Sequence, residues 1–319
     1  MNFKQLLKLR PAYWAVFFFI SAQAAALFIV SHMDPFLEEH DIYVAPQGDP
    51  EIIPILPSAP ITTTATSGEV VITTTPYWTA LLPQIIYFFI VIVVMGLILY
   101  FIPIWALKKV FRAIFAVLFA WGVFIALVFW APLAVSLAVA ATVGLLWLIT
   151  PRIWLHNLMM LLAMASLGAV FGRLIIPWQA MILLSVIAVY DFFAVRFGYM
   201  LWLANSLSKI NTLPAFFIPR FASEWKDSLE AQSVTEMAEK KPADRDFSIL
   251  GGGDIGFPVL LASSVYFAYG INSALLVAAF ALAGIIGAYF IQAVFLKGKP
   301  MPALPPIAAL SLIGLLIVR

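Results

Sequence analysis

Two acidic residues, Asp191 and Asp254, lie within long apolar segments, apart from the rest of the 16 acids of the chain. The others all fall in two polar stretches, within residues 34–76 and 206–246. A carboxylate in the hydrocarbon core of a bilayer is costly, so such residues are functional candidates. Neither apolar segment contains Lys or Arg to neutralise the acid. We therefore expect the two carboxyl groups to face each other and share a proton.

Such a pair can hydrolyse an amide bond. Two nearby carboxyl groups do not both ionise readily, so one serves as an acid and the other as a base. The ionised carboxylate takes a proton from water, which attacks the carbonyl, and the protonated one donates a hydrogen bond to the carbonyl oxygen. Alternatively, each Asp is a buried side chain bonded to the backbone or to a nearby Ser or Tyr. Similar depth favours the pair, because Asp191 lies about 7 Å before Arg196 and Asp254 about 12 Å after Asp246.

Three glycines, Gly251, Gly252 and Gly253, stand directly before the second acid. A backbone without side chains at this point would let a substrate strand approach Asp254 closely. The alternative is helix packing, because Gly252 and Gly256 form a small-xxx-small pair of the kind that brings membrane helices together. Both interpretations remain open from the sequence.

Prolines interrupt the start of the last apolar run. Pro302, Pro305 and Pro306 predict that regular helix begins only near Pro306, because proline does not fit a helix interior. Non-helical backbone at membrane depth is tolerated where it is buried in protein or lines a wet cavity. We expect residues 302–305 to lie near the two acids, and a cluster of interfacial prolines is the alternative. Tyr190, beside the first acid, would on its own be typical of the aromatic belt at a membrane surface.

The composition is that of an integral membrane protein. Of 319 residues, 64% are hydrophobic and 11% are charged, whereas a soluble domain carries about a quarter charged residues. The chain has no cysteine, and its three histidines, His32, His40 and His156, are scattered and expected to be structural. These counts exclude disulfides and thiol nucleophiles, and no His-Glu-x-x-His or Gly-x-Ser-x-Gly motif is present. We expect no cofactor and no metal.

Charged residues divide the chain into windows long enough to cross a bilayer, which takes about 20 apolar residues. We predict an all-α polytopic membrane fold with nine transmembrane helices, at 13–30, 77–107, two within 113–151 that turn near 131–132, 152–173, 174–195, 247–269, 273–296 and 300–318. They form one domain, with spans one to six in 1–205, a hydrophilic and mobile loop in 206–246, and spans seven to nine in 247–319. The first window also fits a signal peptide, but its apolar run continues through Val30, which favours an uncleaved span.

The basic residues predict an orientation. With the N-terminus in the cytoplasm, every Lys and Arg except Arg173 and Arg319 falls on the cytoplasmic side. Cytoplasmic loops carry the excess of Lys and Arg in membrane proteins. The sequence therefore predicts a multi-pass protein of the cell membrane with a cytoplasmic N-terminus and an external C-terminus. Both acids would then lie in the cytoplasmic halves of their spans.

Three motifs, taken in order along the chain, resemble those of the presenilin and signal peptide peptidase family. Tyr190-Asp191 is similar to its Tyr-Asp motif, Gly251-Gly252-Gly253-Asp254 to its Gly-x-Gly-Asp motif, and Pro302-Ala303-Leu304 to its Pro-Ala-Leu motif. The resemblance covers nearly the whole chain and implies intramembrane aspartyl proteolysis, with Asp191 and Asp254 as the catalytic pair. It also implies that the other motif residues shape the site or contact substrate. The compact size and short loop look like an archaeal homologue, and the orientation looks like presenilin.

The resemblance implies transmembrane protein substrates in a lipid bilayer, and no nucleic acid. We expect that neither accessory subunits nor self-cleavage in the loop is required, and we leave homo-oligomerisation open. We also expect the loop before span seven and the start of span nine to form a mobile gate and a strand-pairing edge. A transporter or ion-conducting protein, with the acids as a relay, is the main alternative. A prepilin-type peptidase is another, although nine spans and the late prolines argue against it.

Overall fold

The computed structural model describes residues 10–39, 62–66, 69–73, 86–87, 89–91, 93–94, 96–97, 101, 104–199, 202–203, 213–229, 247–296 and 301–318. Within these residues the main helices are α1 (Arg10–Glu39), α2 (Ile104–Val128), α3 (Leu133–Ile149), α4 (Ile153–Leu174), α5 (Pro177–Arg196), α6 (Gly252–Val294) and α7 (Leu304–Val318). Five of them, α1, α2, α4, α5 and α6, are long and apolar enough to cross a membrane, and α3 and α7 are shorter apolar helices.

Several predicted turns fall where the helices end. Helices α2 and α3 are separated by a turn that contains the predicted turn at Ala131 and Pro132. Helix α6 has 43 residues but is broken at Gly270, whose φ of 83° and ψ of 178° interrupt the helix between predicted spans seven and eight. Glycine adopts this backbone conformation without the steric cost that other residues meet. Most of predicted span two, residues 77–107, lies outside the described residues.

Small residues bring α4 and α6 together. A Cβ atom added to Gly168 would lie 2.4 Å from Val259, and one added to Gly172 would lie 2.5 Å from Ser263. Lipid tails are as apolar as the side chains of membrane helices, so the hydrophobic effect does not drive these helices together. They associate through close packing instead. Helix α1 also packs on α4 and α6, through a buried face that includes Phe19. The first predicted span is therefore an integral part of the core.

The fold includes strands that the all-α prediction omitted. Thr62–Thr66 (β1) pairs with Glu69–Thr73 (β2), and Ala215–Pro219 (β3) pairs with Phe247–Gly251 (β4), both antiparallel. The prediction that span seven begins near Phe247 is therefore wrong, because those five residues form β4 and helix α6 begins at Gly252. The physical reason is the pairing of all five residues with β3, helped by Phe247 and Ile249, whose residue types favour a strand.

The prediction of a hydrophilic, mobile loop is also wrong for residues 213–229. Strand β3 is buried throughout, and the short 3₁₀ helix Ala222–Lys226 follows it. A second apolar cluster forms around this segment, made of Phe111, Ile153, Leu213, Ala215, Phe217, Leu229 and Phe247. Polar residues dominate the composition of 206–246, so its average composition does not indicate this buried apolar segment. Residues 204–212 and 230–246 lie outside the described part of the chain.

Contacts between distant segments define the two ends of the bundle. At one end, the Nε atom of Arg173 lies 3.1 Å from Oδ1 of Asp34 in an ion pair between α4 and α1. At the other end, the amide of Ile153 donates to the carbonyl of Asp227 (3.1 Å), and the amide of Leu229 donates to the carbonyl of Pro151 (2.8 Å). The 213–229 segment therefore lies at the end of α4 opposite to Arg173.

Candidate active site

Asp191 lies in the last part of α5 and receives backbone hydrogen bonds from the start of α7. Its side chain is buried, with 6% of the residue exposed. The amide of Leu304 donates to Oδ2 of Asp191 at 3.3 Å, and the amide of Ala303 also faces this carboxylate. The first amides of a helix have no partner within the helix and carry partial positive charge, so they suit a carboxylate.

The proline cluster explains why these particular amides are available. Helix α7 begins at Leu304, with Pro305 and Pro306 in its first turn. Proline fits the first turn because its missing N–H has no helical partner there anyway. The prediction that regular helix starts only near Pro306 is thus wrong by two residues. The prediction that Pro302 and Ala303 are non-helical is confirmed, and this irregular backbone lies beside Asp191.

Asp254 stands in the first turn of α6, directly after β4. Helix α5 packs against both α6 and α7, and the carboxyl groups of Asp254 and Asp191 are close enough to interact electrostatically. The backbone of Gly251 contributes a hydrogen bond to Asp254. One site thus joins the end of α5, the start of α6 and the start of α7.

The glycines before Asp254 have distinct surroundings. A Cβ on Gly251 would lie 3.1 Å from Oδ2 of Asp254, so a side chain there would crowd the carboxyl group. A Cβ on Gly252 would lie 2.7 Å from Met160 and 2.9 Å from the carbonyl oxygen of Pro214. Gly252 is thus required by close packing against α4 and the residue before β3. A Cβ on Gly253 would meet only the ring of Phe257, at 3.3 Å.

Gly256 belongs to the same packed surface as Gly252. A Cβ on Gly256 would lie 2.9 Å from the sulfur of Met164 on α4. Both members of the small-xxx-small pair therefore contact α4, as the helix-packing interpretation expects. The proximity of Gly251 to the carboxyl group of Asp254 fits the other interpretation. The two interpretations apply to different glycines.

The pairing of β3 with β4 determines which backbone groups of β4 point outward. Phe217 pairs with Ile249 and Ala215 with Gly251. In an antiparallel pair, residues that do not exchange hydrogen bonds point their backbone groups away from the partner strand. The backbone amide and carbonyl of Phe217 bond to Asn157 on α4, on the side away from β4. The backbone groups of Ile249, and of Gly251 two residues further on, therefore point away from β3. In the part of the chain that the structure describes, this sheet has two strands, and no third strand covers that edge.

Two tyrosines stand beside the acids. Tyr190, on α5, makes an edge-to-face contact with Phe89, with ring centroids 5.9 Å apart. Tyr289, in the second part of α6, lies close enough to Asp254 to interact with it electrostatically. The sequence analysis missed Tyr289, because no motif marks it and nothing in its spacing links it to the start of the same helix. The kink at Gly270 folds the second part of α6 back toward the first.

An apolar groove lies between α5 and α7. It has a volume of about 310 Å³ and is lined by Met181, Ser185, Ala188, Val189, Phe192, Pro305, Ala308, Ala309 and Leu312. A second apolar groove, of about 410 Å³, lies on the adjacent face of α5 beside Phe89 and Tyr190, and it shares Ser185 and Val189 with the first. Apolar grooves of this size fit hydrophobic side chains better than they fit ions.

Among the described residues, no group of three or more Asp, Glu or His side chains could hold a metal ion. Within the described ranges, the acids at the site are Asp191 and Asp254, on two different helices.

Comparison with known proteins adds to this geometry. The family model "Signal-peptide peptidase, presenilin aspartyl protease" matches residues 61–319. The chain belongs to this family. A solved structure described as "Structure of a presenilin family intramembrane aspartate protease in C222 space group" matches over 96% of this chain and 98% of that one, with a TM-score of 0.58 and 17% sequence identity. At that identity the match shows the presenilin-like fold. No curated protein matches the chain.

Membership of the presenilin aspartyl protease family confirms the resemblance that the three motifs indicated. It makes intramembrane aspartyl proteolysis the supported activity of this chain, and the apolar helices agree with a membrane protein. The motifs that suggested the family lie far apart in sequence. The fold brings residues of all three, Asp191, Gly251 and Leu304, to the ends of helices that pack together.

Proposed function

We propose that Asp191 and Asp254 form the catalytic pair of an intramembrane aspartyl endopeptidase. The observation that carries this proposal is that the two carboxyl groups lie close enough to interact electrostatically, with the amide of Leu304 bonded to Asp191. Each acid stands at the end of a different helix, so the pair exists only in the folded chain. The first part of α6 contains no Lys or Arg, and the single basic residue of α5, Arg196, is its last residue, five positions after Asp191.

The reaction needs only the pair, water and the peptide. The ionised carboxylate removes a proton from water as its oxygen bonds to the carbonyl carbon, and the protonated carboxyl group hydrogen-bonds the carbonyl oxygen. The tetrahedral intermediate then breaks its carbon–nitrogen bond while a carboxyl proton passes to the leaving nitrogen. The products are a carboxylic acid and an amine, and the pair again holds one proton. The two carboxyl groups titrate as a pair, so the shared proton is not assigned to either residue alone.

The substrate would be a transmembrane segment that becomes extended at the site. A helical amide is shielded by its own hydrogen bonds, so cleavage requires local unwinding. The outward backbone groups of Ile249 offer an edge on which an extended segment could add a strand, beside the point where the backbone of Gly251 bonds to Asp254. That edge ends at Asp254, three residues after Gly251. The apolar groove between α5 and α7 would accept the side chains of a segment arriving from the bilayer.

We also propose that β4 and the start of α7 move when substrate binds, as a gate. Hydrogen exchange with and without a transition-state analogue of aspartyl proteases tests this idea. We expect slower exchange in 247–251 and 301–305 when the analogue is bound, and no change in the interior of α4. Equal exchange in both states would rule out the gate.

We propose nine spans, with a cytoplasmic N-terminus and an external C-terminus, in the cell membrane. The contact of Arg173 with Asp34 and that of 151–153 with 227–229 support the proposed connectivity, because each pair was assigned to one side of the membrane. The chain has no cysteine, so single cysteines placed at exposed Asp227 or at exposed Asn272, beside the break at Gly270, can be labelled in whole cells by an impermeant reagent. We expect labelling at Asn272 only.

Substrates would be transmembrane proteins, and the protease would act without cofactor, nucleic acid or accessory subunits. The decisive experiment is cleavage of a single-span peptide by the purified protein in detergent, read by mass spectrometry. Wild type, Asp191→Asn and Asp254→Asn are compared with Asp227→Asn, an exposed acid whose described hydrogen bonds involve only its backbone. We expect cuts within the apolar span for wild type and Asp227→Asn, and none for the other two.

Equal cutting by all four proteins would reveal a contaminating protease and overturn the proposed dyad. Absence of cutting by any of them in several lipids, together with proton or cation flux into proteoliposomes that needs both acids, would instead support the transporter interpretation. The grooves beside the acids are apolar, which favours a protease over an ion pathway.

A further inference from the structure

Two adjacent residues of α4, His156 and Asn157, hold the backbone of β3. The side-chain amide of Asn157 donates to the carbonyl oxygen of Phe217 at 2.6 Å and accepts from the amide of Phe217 at 2.9 Å. Nε2 of His156 donates to the carbonyl oxygen of Ala215 at 2.9 Å. An amide side chain that both donates and accepts in this way reproduces the bonds that a neighbouring strand would make.

These contacts are fully buried, which makes them strong constraints on position. His156 is 0% and Asn157 is 1% exposed, so water does not replace the bonds when the side chains are removed. A buried backbone group left without a partner is costly. Phe217 itself packs in the apolar cluster with Phe111 and Phe247. The strand therefore has one favourable position along α4.

The same contacts leave one side of the hairpin open. The outer edge of β3 is occupied by His156 and Asn157 from α4, and its inner edge pairs with β4. The edge of β4 at Ile249 points away from β3, as does the backbone of Gly251, which bonds to Asp254 in the first turn of α6. Any strand added to this hairpin must therefore add to β4.

We propose that His156 and Asn157 are positioning residues that determine where a substrate is cut. They fix the position of β3 along the axis of α4, and the pairing of β3 with β4 then fixes the position of β4. Strand β4 in turn presents a substrate strand to Asp254 in one register. This inference rests on the proposed function, since it concerns the substrate of the same site. Side chains of a strand alternate between its faces, so a slip that preserves the facing of substrate side chains moves the cut by two residues.

The test measures cleavage position, which a merely structural role would not change. A single-span peptide is digested by wild type, Asn157→Ala, His156→Leu and His156→Gln, and the ratio of products at each bond is read by mass spectrometry. Ser166→Ala is the matched control, because Ser166 lies on the same helix and its buried hydroxyl bonds to Gly122, away from the hairpin. Hydrogen exchange of 215–219 is measured in parallel.

We expect Asn157→Ala to raise the share of cuts displaced from the main site about fivefold, the equivalent of one net hydrogen bond, and to speed exchange in 215–219. His156→Leu changes both quantities in the same direction. His156→Gln retains an amide donor that reaches Ala215 and keeps the wild-type pattern, as does Ser166→Ala. If Asn157→Ala does not fold, the two His156 variants carry the comparison.

An unchanged product ratio in Asn157→Ala and His156→Leu, with faster exchange of β3, would overturn the positioning role while leaving the catalytic pair intact. Loss of activity in which the few remaining cuts keep their wild-type positions would also overturn it, because it indicates general destabilisation. Wild-type cutting that persists in Asp191→Asn would instead show that the proposed function has failed.

Discussion

The amide of Leu304 donates a hydrogen bond to Oδ2 of Asp191 across 113 positions of sequence. This bond joins the irregular start of α7 to the last part of α5, and it places the positive end of a helix against a carboxylate. Pro305 and Pro306 follow directly and have no amide hydrogen to offer. Leu304 and Ala303 are therefore the donors that this helix end presents to the acid.

Replacing the donor of that bond gives a direct prediction. Leu304→Pro removes the amide hydrogen at a position where proline fits the start of a helix. We expect the kcat for peptide cleavage to fall about tenfold or more, because a hydrogen bond to a charged group is lost. Leu304→Ile is the control, since it keeps the amide and the volume of this buried side chain. Similar kcat values for the two variants would show that the bond does not serve catalysis.

Close packing of α4 on α6 predicts a large difference between two identical substitutions. Gly168→Ala would place its Cβ 2.4 Å from Val259, whereas Gly287→Ala would meet nothing within 4 Å. We expect Gly168→Ala to lower the free energy of unfolding by about 1–3 kcal/mol, and Gly287→Ala to leave it unchanged or raise it by up to about 1 kcal/mol. Thermal unfolding in detergent compares them. Equal midpoints would contradict the close contact.

The start of α7 rests on the second part of α6 at Gly284. A Cβ there would lie 2.5 Å from Cα of Ile307 and 3.0 Å from the carbonyl oxygen of Pro306. We expect Gly284→Ala to displace the first turn of α7 and lower kcat more than tenfold, since small misplacements at a reacting centre are costly. Gly287→Ala, one turn further along α6, is the matched control and should cleave normally. Full activity of Gly284→Ala would show that α7 adapts without moving Leu304.

The ion pair at the opposite end of the bundle gives a prediction about stability alone. Arg173 pairs with Asp34 and also lies over the ring of Phe267, 5.1 Å from its centroid. We expect Asp34→Asn to cost less than about 1 kcal/mol, as half-exposed ion pairs do, and Arg173→Met to cost more because it also loses the cation–π contact. Denaturant titration measures both. Cleavage activity should be retained by each folded variant, since this pair lies away from the acids.

Sequence reasoning located the acids but missed what supports them. The charges of segment 206–246 predict a hydrophilic loop, although the run Ala-Phe-Phe-Ile-Pro at 215–219 carries a strand signal of aromatic and β-branched residues. Asn157 was not singled out, because one amide in an apolar helix has no distinguishing spacing. His156 is expected from the sequence to be structural, whereas its buried bond to Ala215 makes it a candidate for positioning β3.

Composition and residue spacing were enough to predict a membrane protein, the positions of several turns, and the two acids with their motifs. Hydrophobicity and charge are local properties, so each window of the chain can be assessed for membrane insertion on its own. The docking of β3 on α4, the pairing of β4 with β3 and the bond from the amide of Leu304 to Asp191 are visible only in the folded chain. These contacts join residues far apart in sequence through backbone hydrogen bonds. Backbone groups are the same at every position, so the residue types alone do not specify which ones meet.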